Sequence, residues 1–297
     1  MHRDSVSFAV LALSLHFQSQ GEQDISKVRV SKTVYARRSG PMEISAFETL
    51  SIAVAKHIMW VSIDNQPVNL MDGQMVKELR ALLELLRVDD QIKVVVFKTN
   101  NSQFFIAHAD LGLFDGKLET PPPRSEKLNS IHRLFEGYRV LPKATIAVIE
   151  GQVNGAGTEF ALSLDMQFAA DDAKIGQFEV ALGCLPGGTG TQRLPRLCGR
   201  SRALEVILGC NEFDGNTAAD YGMINRAFPA PHLHNFVDAL AARIASFPLK
   251  AIALSKASVD AALRDPTPGL IEEMSCVFCP SQLKGLSSSS LIEFCSF

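Results

Sequence analysis

TIAVIEGQVNGAGTEFALSLDMQFAADDAKIGQFEV, residues 145–180, runs from an apolar stretch through a glycine turn into a segment of helical length and then a second apolar stretch. Thr145 to Glu150 reads as a buried strand, Gly155 to Leu164 as a helix and Met166 to Ala170 as a short strand. Strands alternating with helices in this way predict an α/β fold. Two acids stand out, twenty residues apart. Glu159 lies in Asn154-Gly155-Ala156-Gly157-Thr158-Glu159, a tight turn opening a helix, and Glu179 ends Ile175-Gly176-Gln177-Phe178-Glu179. A helix N-terminus carries unpaired N–H groups and a partial positive charge. Such an end can hold a developing oxyanion while a neighbouring carboxylate moves a proton.

Outward from this stretch the pattern repeats. Leu50 to Val54 and Ile58 to Ile63 read as strands of a hairpin around Lys56-His57, followed by a turn at Asp64-Asn65-Gln66-Pro67. Met75, Val76, Leu79, Leu82, Leu83 and Leu86 have helical spacing, which predicts a helix over Leu70 to Leu86 with Asp72 as N-cap. Ile92 to Phe97 is a buried strand, and Ala107 to Phe114 a turn into a short helix. Pro121-Pro122-Pro123 marks an exposed loop, and Leu128 to Tyr138 a helix. After Gly199 the expected elements are helices: Arg200 to Gly209, Asn216 to Tyr221 capped by Asp214, His232 to Phe247, and Leu249 to Leu263. The expected organisation is a disordered or targeting leader (1–42), an α/β core (43–199), a helical C-terminal region (200–275) and an irregular tail (276–297).

Composition narrows the function. The chain has 297 residues, 46% hydrophobic and 21% charged, with a formal net charge of −3, so no overall basic field favours nucleic acid. The arginines at 193, 196, 200 and 202 read either as a phosphate contact or as a solvated helix face. No apolar run is long enough to span a bilayer, so no membrane partner is expected. Six cysteines are too sparse for a disulfide framework, and the lone Cys276-x-x-Cys279 reads as coincidence rather than a metal site. Phe8 to Phe17 is a poor signal-peptide core, and the basic leader also fits a mitochondrial presequence. An intracellular location is expected, cytosol or mitochondrion.

Two loops are placed to meet a substrate. Ala107-His108-Ala109-Asp110 follows the strand Ile92 to Phe97, and Gly155-Ala156-Gly157 follows the strand Thr145 to Glu150. In parallel sheets ligands collect at the carboxyl ends of strands. Two converging N–H groups there would form an oxyanion hole, each donor contributing roughly 3 kcal/mol to the transition state. Taken singly, each acid also fits a bland role: Glu159 on an exposed helix face, Glu179 capping the turn at Gly183. The run Gly183 to Leu194 reads as a functional loop because its glycines permit close backbone approach. It lacks the Gly-Lys-Ser/Thr of a phosphate loop and is no dinucleotide fingerprint.

The segments NGAGTEFALSLD (Asn154 to Asp165), FAADDAKIGQFEV (Phe168 to Val180) and LGCLPGGTGTQRLPRLCG (Leu182 to Gly199) resemble the signature region of the crotonase (enoyl-CoA hydratase/isomerase) superfamily. IDNQPVNLMD (Ile63 to Asp72), Phe105 to Asp110, and Asn216 to Phe228 extend the likeness over roughly Phe47 to Asp265. The resemblance implies a spiral of ββα turns with a helical C-terminal trimerisation region, a short strand ending near Phe228, an acyl-CoA thioester substrate, and a homotrimer or dimer of trimers. It implies Glu159 and Glu179 as the catalytic acids and Ala107 and Ala156 as the oxyanion-hole residues. His108, Ala109, Asp110, Gly155 and Gly187 are implied substrate contacts. No metal and no cofactor beyond the substrate's own coenzyme A are implied.

The resemblance is imperfect. Ala156 and His108 stand where glycine is usual, and Phe178 where proline is common. His108 is read as a packing histidine or a coenzyme A contact. The family's terminal stretch is not recognisable after Glu273. Lys27 to Arg38, Lys56, Lys143 and Lys256 are the candidate partners of the coenzyme A phosphates, Gln66 to Asn69 lies by the adenine segment, and Leu111 to Arg139 would set acyl-chain length. Keeping both acids favours a hydratase. The alternatives are a Δ3,Δ2-enoyl-CoA isomerase, a hydratase or dehydratase step in specialised metabolite assembly, and a non-catalytic scaffold.

Overall fold

Apolar spacing and turn chemistry build the first elements as the sequence predicts. The computed structural model describes residues 47–110 and 128–263, together with the backbone of two short antiparallel strands, β1 (Val34–Arg37) and β2 (Gly40–Glu43), inside and beside the segment read as a leader. The run Phe8 to Phe17, the Pro121–Pro123 loop, residues 111–127 of the chain-length segment, the Cys276/Cys279 pair and the tail 276–297 lie outside the described residues.

β3 (Leu50–Ala55) and β4 (Ile58–Ile63) form the expected hairpin. Lys56 and His57, at φ 49° and 67°, supply the two left-handed residues that such a turn requires. α1 (Gly73–Val88) starts where Asp72 accepts a hydrogen bond from Met75 N at 2.8 Å, and it buries Met75, Leu79, Leu82, Leu83 and Leu86. Asn69, in the segment compared with an adenine site, is fully buried. Its Nδ2 faces Thr99 Oγ1 and the carbonyls of Phe104 and Phe105, so it cross-links the backbone.

Beyond α1 the chain shuttles between two sheets. β5 (Val94–Thr99) enters the large sheet, β6 (Phe104–Ile106) the small one, and α2 (Ser130–Arg139) follows. β7 (Ala144–Ile149), β8 (Gln152–Asn154) and α3 (Ala156–Ala161) repeat the turn. β9 (Met166–Ala170), β10 (Lys174–Gly176) and α4 (Gly190–Gly209) repeat it again. β11 (Glu212–Asp214), α5 (Gly215–Tyr221) and β12 (Arg226–Phe228) close the spiral, and α6 (Ala230–Ala245) and α7 (Leu249–Ala262) follow. The large sheet has the order β12-β9-β7-β5-β4-β3, all parallel except the β3–β4 pair. The small sheet has the order β11-β10-β8-β6, parallel except for β11. This is the α/β spiral of ββα turns that the resemblance implies.

Two expectations need correction. The region after residue 199 is not helical throughout: β12 is the short strand near Phe228 that the resemblance implies, and β11, which the sequence reading does not predict, extends the small sheet. The run Gly183 to Leu194 reads as loop, but from Gly190 on it belongs to the first half of α4, which is bent at Gly199 (φ 78°). Pro195 lies inside this half and leaves the Thr191 carbonyl without its intrahelical N–H donor.

Candidate active site

The three parallel strands of the small sheet carry the site. β6 runs into Ala107–Asp110, β8 into Gly155 and α3, and β10 into Gln177-Phe178-Glu179. The reactive loops therefore leave β6, β8 and β10, not the large-sheet strands from which the sequence reading derived them. Three-residue strands carry no periodicity of their own, which is why they escaped that reading. Thr158 ties the strand ends together: its hydroxyl lies 3.0 Å from Val153 O and 2.9 Å from Gly176 O.

Glu159 is 2% exposed. Its Oε1 accepts three backbone N–H groups, from Gly188, Thr189 and Gly190, at 2.8, 2.8 and 2.7 Å. These are the orphan donors at the N-terminus of α4. The glycine-rich run thus cradles a carboxylate of its own chain. A Cβ at Gly188 would sit 2.3 Å from Glu159 Oε2, so only glycine admits this approach. Burial pushes the Glu159 carboxyl above its ordinary value, while the three amides and the His132 charge pull it back.

Glu179 opens a single 3₁₀ turn, Glu179–Leu182, that ends at Gly183 in the left-handed region. Its side chain does not cap that turn. It faces Gly155, where an added Cβ would stand 2.9 Å from Glu179 Oε1. The fully buried Gln177, with its amide nitrogen turned to Glu179, lies 3.0 and 2.8 Å from the two carboxylate oxygens. Burial, and then the negative charge of Glu159, raise the Glu179 carboxyl to about 7. Glu179 therefore titrates in the field of Glu159.

The amides around them divide into engaged and open. Gly155 N–H donates to Gly176 O at 3.2 Å, and Gly155 adopts φ 52° to start α3. Ala156 is half-buried, and its N–H meets no acceptor among the described residues. Ala107 requires correction: it is 5% exposed, and its N–H donates to Val68 O at 3.2 Å, so it is not free to form a hole. Two residues on, Ala109 is half-buried and its N–H meets no acceptor among the described residues. The two loops are in contact, since a Cβ at Gly157 would stand 2.4 Å from Ile106 O.

His108 is exposed, with Nδ1 2.7 Å from Ala109 O, so it is not a packing histidine. Asp110 N donates to Met71 O at 3.1 Å. Gly187 O accepts from His132 Nε2 at 2.6 Å, a contact the sequence did not reveal. Sequence reasoning also missed Gln177 and Thr158, because neither residue type signals a site outside its surroundings.

The lysines proposed for phosphate contact divide in the same way. Lys143 is 1% exposed and donates to Asp89 O and Ile92 O. Lys256 donates to Lys143 O and Asp165 Oδ2, both at 2.7 Å. Both are structural and are withdrawn as phosphate partners. Lys56 is exposed at the β3–β4 turn, and Lys27 to Arg38 lie in residues whose side chains are not described. Arg193 pairs with Glu136 of α2 rather than facing solvent. Beside the clamp a groove of about 480 Å³ runs between α2 and α4, lined among others by Leu128, His132, Leu185, Gln192 and Arg196. A second cavity, of about 320 Å³, lies between the end of α2 and α7, and neither glutamate lines it.

Comparison with known proteins places the chain among relatives of one family. Residues 54–287 match the family model described as enoyl-CoA hydratase/isomerase. A Bacillus subtilis (strain 168) protein described as "Probable enoyl-CoA hydratase" is 33% identical over 176 residues, covering 59% of this chain and 67% of that relative. The crystal structure of an enoyl-CoA hydratase from Bacillus anthracis superposes with a TM-score of 0.72 at 27% identity, covering 83% of this chain and 96% of the other. Pseudomonas aeruginosa DspI superposes at 0.73 with 28% identity, over 84% of this chain and 97% of its own.

Proposed function

The chain belongs to the enoyl-CoA hydratase/isomerase family, and from that premise we propose that it adds water across the 2,3 double bond of a trans-2-enoyl-CoA thioester. The observation that carries the reading is the pair of carboxylates just beyond the ends of adjacent parallel strands, Glu159 buried on α3 and clamped through a single oxygen, Glu179 half-buried and raised to about 7.

The thioester oxygen lies against the open amides of Ala156 and Ala109, and Ala109 replaces Ala107 as second donor. As C3 is attacked, charge builds on that oxygen, and the two N–H groups stabilise it by about 3 kcal/mol each. Glu159 is held by three amides on Oε1, while Oε2 makes no hydrogen bond among the described residues. That second oxygen accepts the proton of the attacking water. A carboxyl near 7 is half protonated at neutral pH, which suits Glu179 to deliver a proton to C2 of the enolate. Water thus contributes its hydroxyl to C3, and C2 gains a proton. The sequence of steps draws on no metal, and coenzyme A arrives as part of the substrate. An intracellular compartment that supplies acyl-CoA follows from the same reading.

The test is consumption of crotonyl-CoA with product identification, for wild type and Glu179→Gln. Formation of 3-hydroxybutyryl-CoA, reduced about a hundred-fold or more in the variant, supports the reading. A wild type inert on crotonyl-CoA but active on a 3-enoyl-CoA makes the protein an isomerase. Inertness on both, with no thermal stabilisation by acyl-CoA, makes it a shell without the chemistry.

A further inference from the structure

We propose that His132 is a positioning residue for Glu159, acting through the Gly187–Gly188 peptide; the inference builds on the acid/base reading of Glu159. His132 stands in the first turn of α2, and its Nε2 lies 2.6 Å from Gly187 O. A carbonyl only accepts, so Nε2 carries the proton. The same peptide unit donates its other end, Gly188 N–H, to Glu159 Oε1 at 2.8 Å. A trans peptide is planar, with C=O and N–H pointing in opposite directions. Gripping the oxygen therefore aims the N–H. The grip matters because both residues are glycine, and glycine imposes little preference on the orientation of that plane. A donor on the carbonyl also polarises the amide and strengthens the hydrogen bond at its far end.

The rest of α2 supports this role. A Cβ at Gly188 would stand 3.2 Å from Phe135 Cε2, so Phe135 packs on the peptide His132 grips. Glu136, one turn after His132, pairs with Arg193 in the first turn of α4. The helix therefore holds the clamp at Gly187, Gly188 and Arg193. Gly187 itself is exposed, and His132 is its one hydrogen-bonding side chain among the described residues.

The test compares wild type with His132→Phe, which removes the donor, and His132→Gln, whose amide N–H can still reach the carbonyl. His132 is only half-buried, so neither change opens a core cavity. In crotonyl-CoA hydration, His132→Phe is expected to lower kcat about tenfold with KM within about twofold, and His132→Gln to recover most of the loss. An unchanged kcat, a loss confined to KM, or a glutamine variant as impaired as phenylalanine overturns the proposal. A second readout needs no turnover: the Glu159 carboxyl followed by ¹³C NMR, its resonance assigned with Glu159→Gln. His132→Phe is expected to raise the pH at which Glu159 titrates, and His132→Gln, which keeps the hydrogen bond to Gly187 O without the His132 charge, to restore part of the shift. If wild type fails to hydrate crotonyl-CoA yet Glu159 titration follows residue 132, the reaction assignment fails and the coupling holds. If wild type hydrates and the titration does not move, the coupling fails alone.

Discussion

Glu159 shows how a carboxylate is kept usable inside a protein. Burial raises its carboxyl, and three amides on one oxygen pull it back by supplying solvation that water cannot. Gly188→Ala tests this directly. Its Cβ would meet the end of the Glu159 side chain, which can swing aside, so the cost falls on the clamp rather than the fold. We expect hydration to fall about a hundred-fold or more with the melting temperature nearly unchanged; a variant of normal activity would mean the clamp is dispensable. Glu179 makes two pH predictions. As proton donor it must be protonated, so kcat/KM is expected to fall as pH rises through about 7. Its folded-state value lies above the ordinary 4.5, so its contribution to stability is present below 4.5 and is lost as pH rises through about 7. Glu179→Gln stays neutral throughout, so its melting temperature should gain on wild type between pH 5 and pH 8; a difference that does not grow with pH refutes the assignment.

At the scale of elements, the site depends on short pieces that are stable only in company. α3 has six residues and β6, β8 and β10 three each, too few for intrinsic stability. Gly157 lets the start of α3 press onto the end of β6, where a Cβ would strike Ile106 O at 2.4 Å. Backbone cannot yield as a side chain does. Gly157→Ala is therefore expected to cost about 1–3 kcal/mol in denaturant unfolding and to lower activity by separating the Ala156 and Ala109 amides. Full stability and activity together would show that the two loops need not touch. The longer elements behaved differently in the sequence. α1 announced itself through its apolar stripe and Asp72, and α5 through Asp214, whose side chain accepts from Thr217 N at 2.7 Å. The first half of α4 did not, because the glycine-rich run Gly183 to Leu194 reads as loop without the carboxylate that the helix N-terminus grips.

For the whole molecule, α7 is tied to the core by a half-buried polar junction, beside the ion pair of its Asp260 with Arg139 of α2. Lys256 reaches Lys143 O and Asp165 Oδ2, and Asp165 also accepts from Thr145 N and Oγ1. Burial raises the Asp165 carboxyl and lowers the Lys256 ammonium, each against the other's attraction, so the pair is held by its surroundings more than by its charge. Lys256→Met should destabilise the protein by about 3 kcal/mol, because Asp165 keeps a desolvated charge with no cation beside it, only its hydrogen bonds from Thr145. An urea melt matching wild type would show that α7 is not anchored there. The sequence by itself determined the α/β class, the long strands and helices, their caps, and the two glutamates as the acids to watch, since periodicity, capping residues and glycine turns are local properties of the chain. Only the tertiary structure decided that Glu159 is clamped by α4, that Ala107 is engaged while Ala109 is open, and that Lys143 and Lys256 are internal ties. Each of these depends on which backbone groups from distant segments meet in space, and hydrogen-bond partners twenty or a hundred residues away leave no trace in local pattern.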